Sequence, residues 1–145
     1  MNTTALRLAA AAALVYFALT AAGGGGLSVA VAPYAGTLPN VHTASRVMAA
    51  ADRRALSEAL TAAGEMLGAD NLGLVGTTEE MQTFVKACLE FDYQGLGKPS
   101  AKYPSVARAV QADISKAIGE DVAQVTPEKR AAVAAVLIEA GKAVR

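Results

Sequence analysis

The sequence has few of the residues from which metal and redox sites are usually built. Its 145 residues include one Cys, one His and no Trp, and aromatic residues make up only 5%. A single Cys excludes an internal disulfide and a Cys-based zinc cluster. A single His excludes any site that needs two imidazoles from one chain. The haem-attachment sequence Cys-x-x-Cys-His is also absent, which excludes a c-type cytochrome.

An excess of charge of either sign is also missing. The chain has 13 basic and 13 acidic residues, so its formal net charge is zero. Nucleic-acid-binding proteins normally show a basic excess, and we therefore expect no nucleic-acid partner. Hydrophobic residues make up 53% of the chain, which is too many for a disordered protein. The length is typical of one domain with a modest core.

The charges that are present are unevenly distributed. Residues 8–45 contain no Lys, Arg, Asp or Glu, whereas residues 46–145 hold all of the acidic residues and all but one of the basic residues. This division predicts a membrane anchor or signal segment over residues 1–32 and a helical bundle domain over residues 43–145. Between them, Pro33 and Pro39 disfavour a helix and predict an extended linker over residues 33–42.

The apolar leader, residues 8–32, fits two interpretations. As a signal peptide, it has a positive start at Arg7, an apolar run over residues 8–22 and small residues for cleavage near Ala22. As a membrane anchor, it offers 25 uncharged residues, where a transmembrane helix needs about 20. In either case Arg7 and the terminal amine favour the inner side of the membrane, which predicts an extracytoplasmic position for the domain.

Two features of the leader favour the anchor. Apolar residues resume after the four glycines at residues 23–26, where a released linker is more often polar. Ala18, Ala22 and Gly26 recur every fourth residue, a pattern that suits close helix packing in lipid. The expected partners are therefore membrane lipid and other protein subunits or sister copies, while the sequence does not indicate whether a small-molecule ligand binds.

Apolar residues at helical spacing predict about four helices in the domain, and therefore an all-α fold with an N-terminal apolar, transmembrane helix and a small bundle. The helices are expected over residues 43–67, 77–95, 104–118 and 126–145. Thr77 and Glu80 have capping-box spacing, and Thr126 followed by Pro127 marks another helix start. The predicted buried residues of the second and fourth helices are Met81, Phe84, Val85, Cys88, Leu89, Val133, Val136, Leu137, Ala140 and Val144.

The polar residues do not form a catalytic pattern. Cys88 lies on a buried stripe, where an inert thiol is expected. The acidic pairs at residues 79–80, 90–92 and 120–121 lie at helix starts, helix ends or loops, where carboxylates are usually solvated. Arg53 and Arg54, with Arg46 nearby, fit a solvated helix face or a contact with lipid phosphates. We therefore expect no enzyme activity and no catalytic, cofactor-binding or metal-binding residues.

One part of the chain resembles known sequences. Lys102-Tyr103-Pro104, residues 117–122 and residues 126–130 resemble the C-terminal half of small helical proteins of bacterial and phage-like genomes, over about residues 78–145. Those proteins usually have Gly-Leu-Gly after the Tyr-Pro step, where this chain has Ser105-Val106-Ala107. The resemblance implies no catalytic residue, and it favours a phage-related structural component.

These observations predict a non-enzymatic, single-pass membrane-anchored structural or accessory protein. Its extracytoplasmic helical domain would pack on other proteins, in a membrane-containing virion or a bacterial membrane complex. The alternative is a secreted or periplasmic helical binding module released by cleavage near Ala22.

Overall fold

The computed structural model describes Tyr34, Gly36 and residues 38–69, 75–119 and 124–145, apart from the side chain of Gln94. Within these ranges the chain forms α-helices and no strand, which confirms the all-α prediction for this part of the chain. The helices are α1 (Pro39–Ser45), α2 (Ala50–Ala69), α3 (Thr78–Leu89), α4 (Pro99–Lys102), α5 (Pro104–Ile118) and α6 (Pro127–Val144). The predicted transmembrane helix, with Ala18, Ala22 and Gly26, lies outside the described residues.

The starts of α3 and α6 follow from their capping residues. The Thr77 hydroxyl accepts a hydrogen bond from the backbone N–H of Glu80 at 3.1 Å, and Thr126 does the same for Lys129 at 3.1 Å. Each bond satisfies one of the N–H groups that have no partner in the first turn of a helix. Both starts were predicted from the sequence, and both are confirmed.

Helix α5 also has the predicted bounds, because Pro104 starts it and Gly119 stops it. Gly119 has a φ of +76°, a backbone conformation that glycine adopts without strain. The predicted end of the second helix near Gly95 is wrong, however. Helix α3 ends at Leu89, and a separate 3-10 turn covers Tyr93–Gly95.

Two predictions about the first part of the bundle are also wrong. The segment 33–42 is not an extended linker throughout, because α1 begins at Pro39 and buries Val41 and Ser45. Pro39 occupies the first turn, where its missing N–H costs nothing. The helix predicted over residues 43–67 is two helices, α1 and α2, separated by a turn at residues 46–49.

The buried apolar residues of the described helices form one core, and the predicted stripes of α3 and α6 are buried in it. All ten of the residues predicted to be buried in these two helices are at most 2% exposed. Helix α6 packs antiparallel to α2: Ser57 in the first half of α2 meets Gly141 near the end of α6, and Gly64 further along α2 meets Ala134 and Ile138.

The α2–α6 pair is unusually close because both helices place glycine at the crossing. The Ser57 hydroxyl donates to the Gly141 carbonyl oxygen at 2.6 Å. A Cβ atom added at Gly141 would lie 2.6 Å from Thr61 Oγ1 and 2.8 Å from the Ser57 carbonyl oxygen. A Cβ atom at Gly64 would lie 2.7 Å from a side-chain carbon of Ile138. The two glycines therefore set the separation of the two longest described helices.

Candidate functional site

The most elaborate polar cluster in the described residues is centred on Asp52 in α2. The Tyr103 hydroxyl donates to Asp52 Oδ2 at 2.5 Å, and Lys102 Nζ lies 3.0 Å from the same oxygen. Tyr103 also accepts a hydrogen bond from the backbone N–H of Ala49 at 3.2 Å. Lys102 donates to the Leu96 carbonyl oxygen at 3.1 Å. The cluster thus joins the start of α2 to the segment on either side of α4.

The electrostatics of this cluster keep Asp52 ionised. Asp52 is only 7% exposed, and burial alone would raise the pKa of its carboxyl group. The hydrogen bond from Tyr103 outweighs burial, and with the further help of Lys102 it holds the pKa of Asp52 below its ordinary value. The same pair raises the pKa of Lys102, chiefly through the hydrogen bond to Asp52. These shifts indicate a stable ion pair and not a proton donor or acceptor near neutral pH.

A small cavity lies beside the cluster, and its size limits what it can hold. It has a volume of about 20 Å³ and is bordered by Asp52, Tyr93, Lys102 and Tyr103 together with apolar side chains. A cavity of that size has room for about one water molecule, whereas pockets for organic ligands usually measure about 300–1,000 Å³. The Asp52 cluster is therefore suited to joining helices and leaves no room for a substrate.

A second polar feature lies where α1 meets the end of α6. The Arg46 guanidinium donates to the carbonyl oxygens of Ala143 and Val144 at 2.9 and 2.8 Å, and to that of His42 at 3.2 Å. The last carbonyls of a helix have no partner within the helix, and a cation there also opposes the negative end of the helix dipole. Arg46 therefore caps the C-terminal end of α6 and links α1 to α6 by hydrogen bonds.

His42 contributes to the same joint. Its ring nitrogen Nδ1 lies 3.3 Å from the Ala143 carbonyl oxygen. Because a carbonyl oxygen only accepts hydrogen bonds, Nδ1 carries the proton in this contact. The sequence placed His42 in a linker, whereas the structure places it on α1 with a structural contact.

Further arginines surround this joint and form what we call the arginine end: Arg46, Arg53, Arg54 and Arg145. Arg53 donates to the Arg145 carbonyl oxygen at a long 3.5 Å, and Arg54 lies 3.6 Å from Glu58. A shallow depression of about 330 Å³ lies among Ala50, Arg53, Arg54 and Arg145. The sequence indicated that Arg46, Arg53 and Arg54 lie near one another, but Arg145 is almost a hundred residues away.

Cys88 is inaccessible, in line with the prediction of an inert thiol. It is 2% exposed, and burial raises its pKa to about 12 although a hydrogen bond with Tyr93 lowers it. Burial likewise raises the pKa of Tyr93. A thiol reacts as its thiolate, so Cys88 is not a nucleophile near neutral pH.

The acidic residues at 79–80 and 90–92 lie at or near the ends of helices. Glu80 accepts hydrogen bonds from the Gly76 N–H and the Thr77 hydroxyl, both at 3.2 Å, whereas Glu79 is exposed. Glu90 is exposed at the end of α3, and Asp92 accepts from the Gly97 N–H at 2.7 Å. The pair at residues 120–121 lies outside the described residues. Residues 38–69, 75–119 and 124–145 contain no group of three or more His, Cys, Asp or Glu that could hold a metal ion.

The Asp52 cluster was not identified from the sequence. Lys102 and Tyr103 were noticed only as part of a resemblance, and Asp52 is about fifty residues away. Asp52 interrupts the apolar face at the start of α2, and an interruption of that kind is the only sign the sequence gives of a buried polar contact.

Comparison of the chain with protein-family models, with curated proteins and with solved structures finds no match. Among the described residues, no helix has both the length and the apolar character required to cross a membrane.

Proposed function

We propose that the chain is a non-enzymatic, single-pass membrane-anchored accessory or structural protein whose helical domain packs on other proteins. The observation that carries the proposal is the joint between α1 and α6. Only five residues separate the apolar leader from Leu38, which is 7% exposed, and the helix that follows is fastened to α6 by Arg46. This arrangement connects the leader directly to the bundle.

The use of the polar side chains supports a role without catalysis. Asp52, Lys102 and Tyr103 bond one another and neighbouring backbone, and Arg46 closes the end of α6. Cys88 is buried with a raised pKa. The side chains best able to do chemistry are thus engaged in holding the bundle together, as expected for a scaffold that presents surfaces to partners.

The partners that we propose are membrane lipid and either sister copies or other subunits, in a bacterial membrane complex or a membrane-containing virion. The resemblance of residues 78–145 to small helical proteins of phage-like genomes favours the virion. Under this proposal the N-terminus lies inside and the bundle lies outside the cytoplasm, in line with the charge of Arg7.

The anchor is tested by extracting bacterial membranes that contain the full chain with alkaline carbonate and measuring its intact mass. We expect the chain to stay in the membrane with its leader retained, and Phe17→Arg to release it because a charge in the apolar run opposes insertion. Thr4→Arg, before that run, is the matched control. Recovery of a soluble chain that begins at Gly23 would favour the alternative, a secreted or periplasmic binding module.

Association between sister copies is tested separately, through the repeated small residues of the leader. We expect Ala22→Leu and Gly26→Leu to weaken energy transfer between donor- and acceptor-labelled chains in vesicles, because larger side chains keep helices apart. Ala21→Leu changes a neighbour outside the repeat and serves as the control. Equal transfer in all three variants would exclude packing through Ala18, Ala22 and Gly26.

A further inference from the structure

The arginine end brings together cations from three separate parts of the chain. Arg46 follows α1, Arg53 and Arg54 lie in the first turns of α2, and Arg145 follows α6. The side chain of Arg54 is 78% exposed, and Glu58 at 3.6 Å offsets part of its charge. The other three residues of the arginine end have no ion pair with an Asp or Glu side chain within the described part of the chain. The surface therefore has a local positive charge, although the whole chain is neutral.

The depression among these residues has features that suit a phosphate group. It is bordered by Arg53, Arg54 and Arg145 and by Ala50, the first residue of α2. Guanidinium groups bind phosphate with paired N–H donors, and the positive end of a helix dipole adds to the attraction.

The position of the arginine end relative to the leader decides which phosphate it meets. His42, one helical turn after Leu38, contacts Ala143 at the end of α6, so the leader joins the bundle beside the arginine end. The five residues between Ala32 and Leu38 span at most about 20 Å when fully extended. A leader held in a bilayer therefore keeps these arginines close to the lipid headgroups.

We propose that the arginine end docks on the phosphate groups of anionic lipids in the membrane that holds the leader. This inference rests on the proposed function, because the leader supplies the proximity. Docking would fix the orientation of the bundle, with α2 and α6 extending away from the bilayer. Without docking, the bundle could rotate freely about the segment that joins it to the leader.

The test uses the full chain in lipid vesicles, with a fluorophore attached through Val47→Cys. Val47 is 76% exposed in the turn next to Arg46, and Cys88 is buried, so labelling is confined to position 47. Quenching by a spin label on the lipid headgroup, which requires contact, then reports docking. We expect strong quenching in vesicles that contain phosphatidylglycerol, and weak quenching in pure phosphatidylcholine or at high salt.

Two charge-matched variants separate the arginine end from charge in general. Arg54→Gln with Arg145→Gln removes two of its cations, and we expect the ratio of docked to undocked chains to fall about 30-fold. Arg108→Gln with Lys116→Gln removes two exposed cations of α5 and should leave the ratio unchanged. Circular dichroism checks that both variants remain folded.

The possible failures are distinguishable. A chain that floats with the vesicles but shows the same quenching with both lipids, or in both double variants, retains its anchor and overturns the docking. A chain that does not float with vesicles of either composition overturns the anchor and the docking together. Binding of inorganic phosphate to the arginine end, lost in Arg54→Gln with Arg145→Gln, together with equal quenching in both lipids, would identify a site for free phosphate and overturn lipid docking.

Discussion

Tyr103 is the residue through which three parts of the bundle are held together. Tyr103 lies between α4 and α5. Its hydroxyl donates to Asp52 of α2 and accepts from the backbone N–H of Ala49, in the turn before α2. A hydroxyl that both donates and accepts in a partly buried place is costly to remove, because both partners lose a hydrogen bond. This single group therefore affects stability more than its size suggests.

We expect Tyr103→Phe to lower the free energy of unfolding by about 2 kcal/mol, because Asp52 stays buried without its shortest hydrogen bond. Urea denaturation followed by circular dichroism measures the loss. Tyr34→Phe, which removes the same atom from a residue that is 37% exposed, is the control and should change little. Equal stability of the two variants would show that the Tyr103 hydroxyl contributes nothing.

The thiol of Cys88 should be protected as long as the bundle is folded. With a pKa of about 12 and 2% exposure, it should react with a thiol-specific disulfide reagent at pH 8 only after urea is added. Val47→Cys places a second thiol in the exposed turn, and that thiol should react at once. Rapid reaction of Cys88 in the folded wild type would mean that the core opens readily.

At the scale of elements, the short distance between α2 and α6 depends on glycine residues at the contact. The two helices meet at Gly64 and Gly141, and Ser57 bonds across the contact. Backbone atoms of the facing helix lie close to both glycines. Backbone atoms cannot move to make room for a Cβ atom as the end of a flexible side chain can. Packing this tight is sensitive to one methyl group.

We expect Gly141→Ala to lower the free energy of unfolding by about 1–3 kcal/mol, although alanine is the better helix former. The added Cβ atom would lie 2.8 Å from the Ser57 carbonyl oxygen. In Gly76→Ala the nearest atom is 3.5 Å away, so this control should be neutral or slightly stabilising. Thermal unfolding of both variants provides the measurement, and a stabilised Gly141→Ala would show that the helices can separate without cost.

The elements that were predicted correctly are those with local signals at both ends. Pro104 and Gly119 bound α5, and Thr126 with Pro127 starts α6. The turn between α1 and α2 has neither Gly nor Pro, so the sequence favoured one continuous helix. The turn is held by partners about 50 and 100 residues away, Tyr103 on Ala49 and the end of α6 on Arg46. Such long-range contacts have no local pattern, which is why the Asp52 cluster and the complete arginine end were missed.

On the scale of the whole molecule, the buried Asp52 and the partly buried Glu65 make stability depend on pH in opposite directions. The folded-state pKa of Asp52 is lowered, so its contribution is present above the ordinary value of 3.8 and is lost as the pH falls below it. Burial raises the pKa of Glu65, so the folded state binds its proton first and gains stability as the pH falls towards 4.5.

We therefore expect Asp52→Asn to flatten the loss of stability below about pH 4. Glu65→Gln should raise stability at neutral pH, and that advantage should shrink as the pH falls. Urea denaturation at several pH values between 3 and 7 measures both effects. If Asp52→Asn left the acid limb as steep as in the wild type, the lowered pKa of Asp52 would be contradicted.

The docking of α1 on the end of α6 also fixes how far the bundle can extend. The start of α2 lies at the same end, and α2 has 20 residues, which corresponds to a length of about 30 Å. The opposite end is closed by the pairing of Thr77 with Gln124, and the Val125 N–H donates to the Gly76 carbonyl oxygen there at 3.0 Å. Under the proposed anchoring, the bundle would act as a spacer about one helix long. A partner bound at the far end would lie about one helix length from the point where α1 joins the bundle.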